Sequence, residues 1–342
     1  MMRSFVHLFS IAPLALSLGL ASSAAAQTAA SAKTLSLATT EGLTSLDAKL
    51  EAVEYRGRKA VRITTLPNHS NALALIDGVD FRDGMIEADI AVKITVPPPT
   101  RMPGFTGIGF RLQRDPLNYD LFYIRPGNSV GDDQSYRNHS VQYSAEPDFG
   151  WMPLRRQWPF IYEAYADLEP GAWTKMKIEV HGRRAVLYLN GSSKPALIVD
   201  GLKGRSLNGA IGLWGFTGEE SYFSNLKITP STPEPVRNGG EIADTWQVAL
   251  NTDVGPFKGT ANLSRDGEKI TGAWSGSLGE GLPISGTWRD GYVQFSFTAL
   301  TSDTKEPYLV RFAGWVDDDK AAGRVQAVGQ ADGRWSATRT KQ

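Results

Sequence analysis

Apolar and polar residues alternate at a two-residue period along most of this chain, in short runs broken by turn residues. Between Ala60 and Ile228 the runs predict strands over Ala60–Thr65, Leu73–Ile76, Gly84–Thr95, Gly107–Gln113, Tyr119–Ile124, His139–Tyr143, Lys175–His181, Arg184–Leu189, Ala196–Val199, Gly209–Trp214 and Ser221–Ile228. No amphipathic helical stretch is longer than one or two turns. So many short strands exceed the needs of a small barrel and fit two antiparallel sheets packed face to face. Asn190-Gly191, after Arg184–Leu189, is a strong hairpin signal.

Residues 229–243, TPSTPEPVRNGGEIA, hold three prolines and two glycines with almost no large apolar side chain, the composition of a linker. Beyond it, eight segments alternate between Gly or Asp turns: Thr245–Leu250, Gly259–Ser264, Lys269–Trp274, Leu282–Trp288, Tyr292–Ala299, Tyr308–Val316, Ala321–Val328 and Gly333–Thr338. A regular meander of this kind predicts an eight-stranded antiparallel barrel, with a second small sandwich as the alternative. Its five tryptophans, Trp246, Trp274, Trp288, Trp315 and Trp335, are expected mostly inside the barrel or at its mouths. The expected chain is therefore all-β: a two-sheet antiparallel jelly-roll sandwich over 33–228, a linker, and a small antiparallel β-barrel of about eight strands over 244–340.

The N-terminus changes where this chain is expected to work. Arg3, an apolar run from Phe5 to Leu20 and the small residues before Gln27 follow the order of a secretory signal peptide, so 1–26 is read as one and the remainder as periplasmic or extracellular. The run is broken by Pro13, Ser17 and Gly19 and is short for a span of about 20 residues, so no membrane insertion is expected. The chain has no cysteine, which excludes disulfides and a cysteine-linked lipid anchor. Without residues 1–26, which contribute Arg3 alone, 35 basic residues face 36 acidic ones. That balance argues against nucleic acid as a partner.

The candidate chemistry lies in the middle of the first domain. Arg111, Tyr123, Arg125, Arg137, His139 and Gln142 are expected on the outward face of their strands. The stretch Tyr136–Tyr165 adds Tyr136, Tyr143, Phe149, Trp151, Trp158, Phe160, Tyr162 and Tyr165, interleaved with Arg155, Arg156, Glu146, Asp148 and Glu163. Aromatic faces suit the C–H face of a sugar ring, and bidentate arginines and carboxylates suit its hydroxyls. The alternative is a loop whose aromatics form a satellite core. The ligand-binding set is read as Arg111, Tyr123, Arg125, Arg137, Gln142, Tyr143, Trp151, Arg155, Trp158 and Tyr162, with His139 and Glu163 as proton-transfer groups if the protein is an enzyme. Asp132-Asp133 is a Ca²⁺ candidate but lacks the D-x-D-x-D-G spacing, and Asp317-Asp318-Asp319 is read as a hairpin tip. No metal or cofactor is expected. Glu87 and Asp89 share a strand face, yet Ala91 and Val92 stand where a glucanase-like strand needs a third acid, so both are read as an ordinary polar face.

Gly171–Val180 with its Trp173, then Val186–Gly191 and Gly209–Trp214, resemble the laminin-G and concanavalin A-like jelly rolls. Within them, Gly107-Ile108-Gly109-Phe110-Arg111 and Ser140-Val141-Gln142 resemble the 3-keto-disaccharide hydrolase domains related to family 16 glycoside hydrolases, with Ser140 where that pattern has Glu. Gly272–Gly276 and Gly333–Arg339 loosely resemble accessory β-modules of secreted amidohydrolases. These resemblances imply a sandwich that carries lectins, glucanases and adhesion modules alike. Three readings stand: a carbohydrate- or glycoside-binding protein, a glycoside hydrolase or lyase acting on a glycoside or 3-keto-glycoside, and a structural or adhesion module. Nothing in the residues fixes the oligomeric state.

Overall fold

The computed structural model describes residues 31–96, 102–234 and 240–340. The expected signal segment 1–26, and residues 235–239 of the expected linker, lie outside the described residues.

In chain order the first part contains β1 (Lys33–Leu35), β2 (Leu43–Leu46), β3 (Ala48–Tyr55), β4 (Arg58–Thr65), β5 (Asn71–Ile76), β6 (Gly84–Ile94), β7 (Thr106–Arg114) and β8 (Leu117–Ile124). Three short helices, α1 (Pro126–Ser129), α2 (Gln134–Arg137) and α3 (Trp151–Gln157), surround β9 (Val141–Glu146). Then come β10 (Glu163–Ala164), β11 (Thr174–His181), β12 (Arg184–Leu189), β13 (Leu197–Asp200), β14 (Ala210–Phe216) and β15 (Glu219–Pro230). The strands form two antiparallel sheets. The back sheet runs β13-β12-β11-β6-β15-β4-β3 with β1 on β15, and the front sheet runs β10-β9-β8-β7-β14-β5-β2. This is the expected jelly roll, and β15 carries the sheet two residues into the stretch read as linker.

Alternation decides what each face does. Ile86, Ile90, Ile178 and Phe223 of the back sheet meet Ile108, Phe110, Phe122, Val141 and Leu213 of the front sheet in one buried core. On the other face of the back sheet, Asp89 pairs with Arg58 at 2.6 Å and Glu87 lies 3.9 Å from Lys175, the solvated polar face expected of them. The outward face of the front sheet is also apolar, with Leu73, Leu75, Leu121, Tyr123 and Trp214 in a second buried cluster.

The second part is a closed barrel of β16 (Asp244–Thr252), β17 (Gly255–Asp266), β18 (Lys269–Gly276), β19 (Gly279–Arg289), β20 (Tyr292–Leu300), β21 (Pro307–Asp317), β22 (Lys320–Ala327) and β23 (Ala331–Arg339). Trp246, Trp274, Trp288 and Trp335 are buried in its core. Trp315 instead packs edge-on against Tyr292, with ring centroids 4.9 Å apart. The barrel wall docks on the sandwich round Asp200, at the C-terminal end of β13. Gln294 Nε2 donates to the Asp200 carbonyl at 2.5 Å, Arg324 reaches the Asp200 carboxylate at 3.2 Å and Arg183 pairs with Asp290 at 2.8 Å.

Candidate functional site

Strand register draws a single row across the outward face of the front sheet. Glu163 lies opposite Gln142, Gln142 opposite Tyr123, Tyr123 opposite Gly107, Gly107 opposite Trp214 and Trp214 opposite Leu73. Directly opposed residues share a sheet face, so six strands contribute to one strip. Gly107 lets the strip close over itself. An added Cβ would sit 2.7 Å from Tyr123 Cβ, and in its absence the Tyr123 and Trp214 rings approach to 5.3 Å. The strip is aromatic at this end and polar to charged, though still buried, at Gln142 and Glu163, and the exposed surface beside it is supplied by α3.

The charged end is organised by one carboxylate. Arg155, on α3, donates from Nε to Glu163 Oε1 at 2.8 Å and from Nη2 to Oε2 at 2.6 Å, a bidentate pair. Arg125 Nη2 lies 3.5 Å from Glu163 Oε2 and also donates to Gln142 Oε1. His139 Nδ1 stands 2.9 Å from the same Oε2, close but not aligned for a hydrogen bond. The Glu163 side chain is 3 % exposed and that of Arg155 31 %. Trp151, one turn earlier on α3, is 42 % exposed and lies under the Arg155 guanidinium at 4.8 Å. The side chain at 151 is thus held in place through Arg155 by a buried carboxylate. Within this cluster Arg125 Nε and Gln142 Nε2 are buried with no hydrogen-bond partner among the described residues.

Burial is the main reason the His139 imidazole is pushed below its ordinary value, with Arg155 and Arg125 adding to the effect and Glu163 opposing it. Folding therefore favours the neutral ring. The resulting stability is present above about pH 6.5, the ordinary imidazole value, and is lost as pH falls below it. His139→Gln is expected to flatten that acid limb in a series of thermal melts against pH.

Of the residues anticipated from sequence, the structure brings together Tyr123, Arg125, His139, Gln142, Trp151, Arg155 and Glu163. It does not bring Arg111 with them. The pairing register slips between Phe110 and Gln113, and Arg111 takes φ +54°, so this bulge turns the side chain out of the expected alternation. Arg111 points instead into the protein, donating to the Arg82 carbonyl, to Asp83 Oδ1 at 2.8 Å and to the Gly182 carbonyl at 2.6 Å. Arg111→Met is expected to cost about 3 kcal/mol, because it leaves Asp83 buried without its cation, while leaving ligand affinity unchanged. Denaturant midpoints and a binding isotherm check the two parts.

Tyr143, next to Gln142 in β9, faces the opposite way and donates to Asp120 Oδ1 at 2.5 Å in the core. Arg137 is spent on the loop carbonyls of Gly131 and Asp132. Trp158 and Tyr162 line the seam between sandwich and barrel, beside Gln294 and Arg311. Asp133 caps α2 through Ser135 N, and among the described residues no group of three His, Asp or Glu side chains could hold a metal.

Glu146, named from sequence among the acids of the aromatic stretch, lies on the outward face in β9, and burial pushes its carboxyl up. Three further residues were not anticipated. Trp214 shares the parity of Gly212, which could have placed it on the outward face. Asp120 sits between Tyr119 and Leu121 with the parity of Phe122, which signals a buried acid. Burial raises its carboxyl too, against Arg111 and Tyr143. Lys203 lies in the seam, its Nζ 2.7 Å from Gln294 Oε1 and 4.2 Å from the centre of the Trp158 ring.

No family model matches this chain, and no curated protein does. Several solved structures resemble it. The carbohydrate-binding module CBM66 from Bacillus subtilis is 16 % identical and aligns over 55 % of this chain and 95 % of its own, with a TM-score of 0.38. A Bacillus subtilis protein of unknown function with a galectin-like fold is 11 % identical over 60 % of this chain and 99 % of its own, at 0.40. The VIP36 exoplasmic/lumenal domain, in a form bound to Ca²⁺ and Man3GlcNAc, is 12 % identical over 58 % of this chain and 87 % of its own, at 0.39. The jelly-roll assignment rests on the two-sheet strand order itself.

Proposed function

We propose that this chain is a carbohydrate- or glycoside-binding protein, exported after removal of residues 1–26, whose site is the charged end of the front-sheet strip. The observation that carries the reading is the relay from exposed Trp151 through Arg155 to buried Glu163. A sugar ring can lie on the Trp151 indole while its hydroxyls meet the part-exposed Arg155 and His139 side chains. Because Glu163 already fixes Arg155, little side-chain freedom is lost on binding.

Binding fits this arrangement better than hydrolysis. A two-carboxylate glycosidase needs its acids roughly 5 to 9.5 Å apart. The acid nearest Glu163 along the outward face of β9 is Glu146, four residues beyond the Gln142 opposite Glu163, or ~13 Å of strand. Both Glu163 oxygens are also already engaged by Arg155, which suits an organiser of the site more than a nucleophile.

Native mass spectrometry of Gln27–Gln342 with a library of oligosaccharides and 3-keto-glycosides tests the reading. A persistent complex whose affinity falls at least tenfold in Trp151→Ala, about 1.4 kcal/mol, is the expected result. Catalytic conversion of the ligand would replace binding with turnover and make His139 the next residue to substitute.

A further inference from the structure

The barrel has unlike ends. At one, the incoming chain closes it: Ile242 is buried and its carbonyl accepts from Trp246 Nε1 at 2.9 Å, while Arg339 lies over the Trp246 ring at 5.1 Å. At the other end four hairpin loops leave a cavity of about 530 Å³. Its walls are inward-facing residues of the strands, Leu250, Tyr308, Val310 and Val325, and its lip joins Val254, Leu278 and Leu300 with the uncharged polar side chains of Ser277, Thr301 and Ser302. Val254 is 63 % exposed and Leu300 54 % exposed, which is unusual for aliphatic residues that gather round one opening.

From this geometry we infer that the open mouth of the barrel is a second binding site, for a small uncharged apolar molecule. The volume lies in the range of small-molecule pockets, roughly 300 to 1,000 Å³, and mouths of small β-barrels are common places for them. The barrel core beyond the cavity is filled by Trp274 stacked on Phe297, with Phe312 tilted against both, so the ligand is short. Charge sets the class. The single ionisable acid or base on the lining besides the Tyr308 phenol is Asp303, whose carboxylate accepts from the Thr304 amide at 2.8 Å and is held below its ordinary value by that bond. An anionic head finds no cationic partner among the lining residues, and the cation of that loop, Lys305, is committed to the Ser302 carbonyl at 2.9 Å.

The test uses the full mature chain and the neutral fluorophore N-phenyl-1-naphthylamine. Saturable binding of one dye per chain is expected, weakened at least tenfold in Val254→Glu/Leu300→Glu, with the anionic 1-anilinonaphthalene-8-sulfonate binding more weakly than the neutral dye. Both substituted side chains are exposed, so the double variant should melt at the wild-type temperature. If it does not fold, hydrogen exchange of the wild-type chain with and without dye answers the same question, with slowed exchange expected in the four mouth loops. Absence of saturable binding, unchanged affinity in the double variant, or protection confined to the sandwich overturns the inference.

Discussion

Glu163→Ala is expected to lower stability by about 3 kcal/mol and to remove glycan binding altogether, the largest single effect at the proposed site. Glu163 is the only carboxylate that Arg125, His139 and Arg155 approach within 4 Å among the described residues. Without it, two guanidiniums and an imidazole face one another in a partly desolvated space, and the Arg155 clamp over Trp151 is released. Glu163→Gln keeps the shape and one acceptor oxygen but removes the charge, so it is expected to fall between wild type and alanine in stability. Urea unfolding of the three proteins, read as midpoints at constant slope, measures the first part, and calorimetric titration with the oligosaccharide library the second. Stability unchanged in Glu163→Ala would mean that the cluster is loose and solvated.

The second large effect lies in the seam between the domains and reverses with pH. Lys203 is 6 % exposed; burial first, then Arg311, Arg289 and Arg183, push its amine down to about 7, against weaker support from Glu268. A folded-state value below the unfolded value of about 10.4 means that the native state releases a proton which the unfolded chain retains. Stability from this group is complete above pH 10, declines towards pH 7 and is gone below it. Lys203→Met keeps the bulk against Trp158, removes the buried charge and forfeits the bond to Gln294. The variant is expected to be more stable than wild type at pH 6, by about 2 kcal/mol, with the difference shrinking or reversing by pH 9. Thermal melts at the two pH values measure it. A variant less stable at pH 6 would mean that the indole ring and Gln294 stabilise the ammonium fully.

The all-β class, the jelly roll and the eight-strand barrel were legible because period-two alternation and turn residues act locally. What alternation cannot carry is a break in its own phase. Arg111 follows Gly107 and Gly109 with outward parity, and the bulge at φ +54° moves it to the core. Tyr143 is a different case, since two adjacent residues of one strand cannot both face outward and Gln142 already claimed that face. Parity alone could have excluded it. The cluster round Glu163 was only half legible. Its residues were named, but their meeting depends on a two-residue strand, β10, and a seven-residue helix, α3, both too short to leave a periodic signature. Lys203 and the seam were illegible for another reason: they arise where two domains dock, and no pattern within either domain encodes that contact.

The central claim, that a sugar is held at Trp151 beside the Glu163 cluster, is tested most directly by the indole N–H resonances of the chain Gln27–Gln342 during titration with the oligosaccharide library. The account predicts that the Trp151 resonance shifts saturably, that Trp158 and the five barrel indoles stay in place, and that Arg155→Ala abolishes the Trp151 shift. Binding that moves barrel indoles and leaves Trp151 unchanged would contradict it.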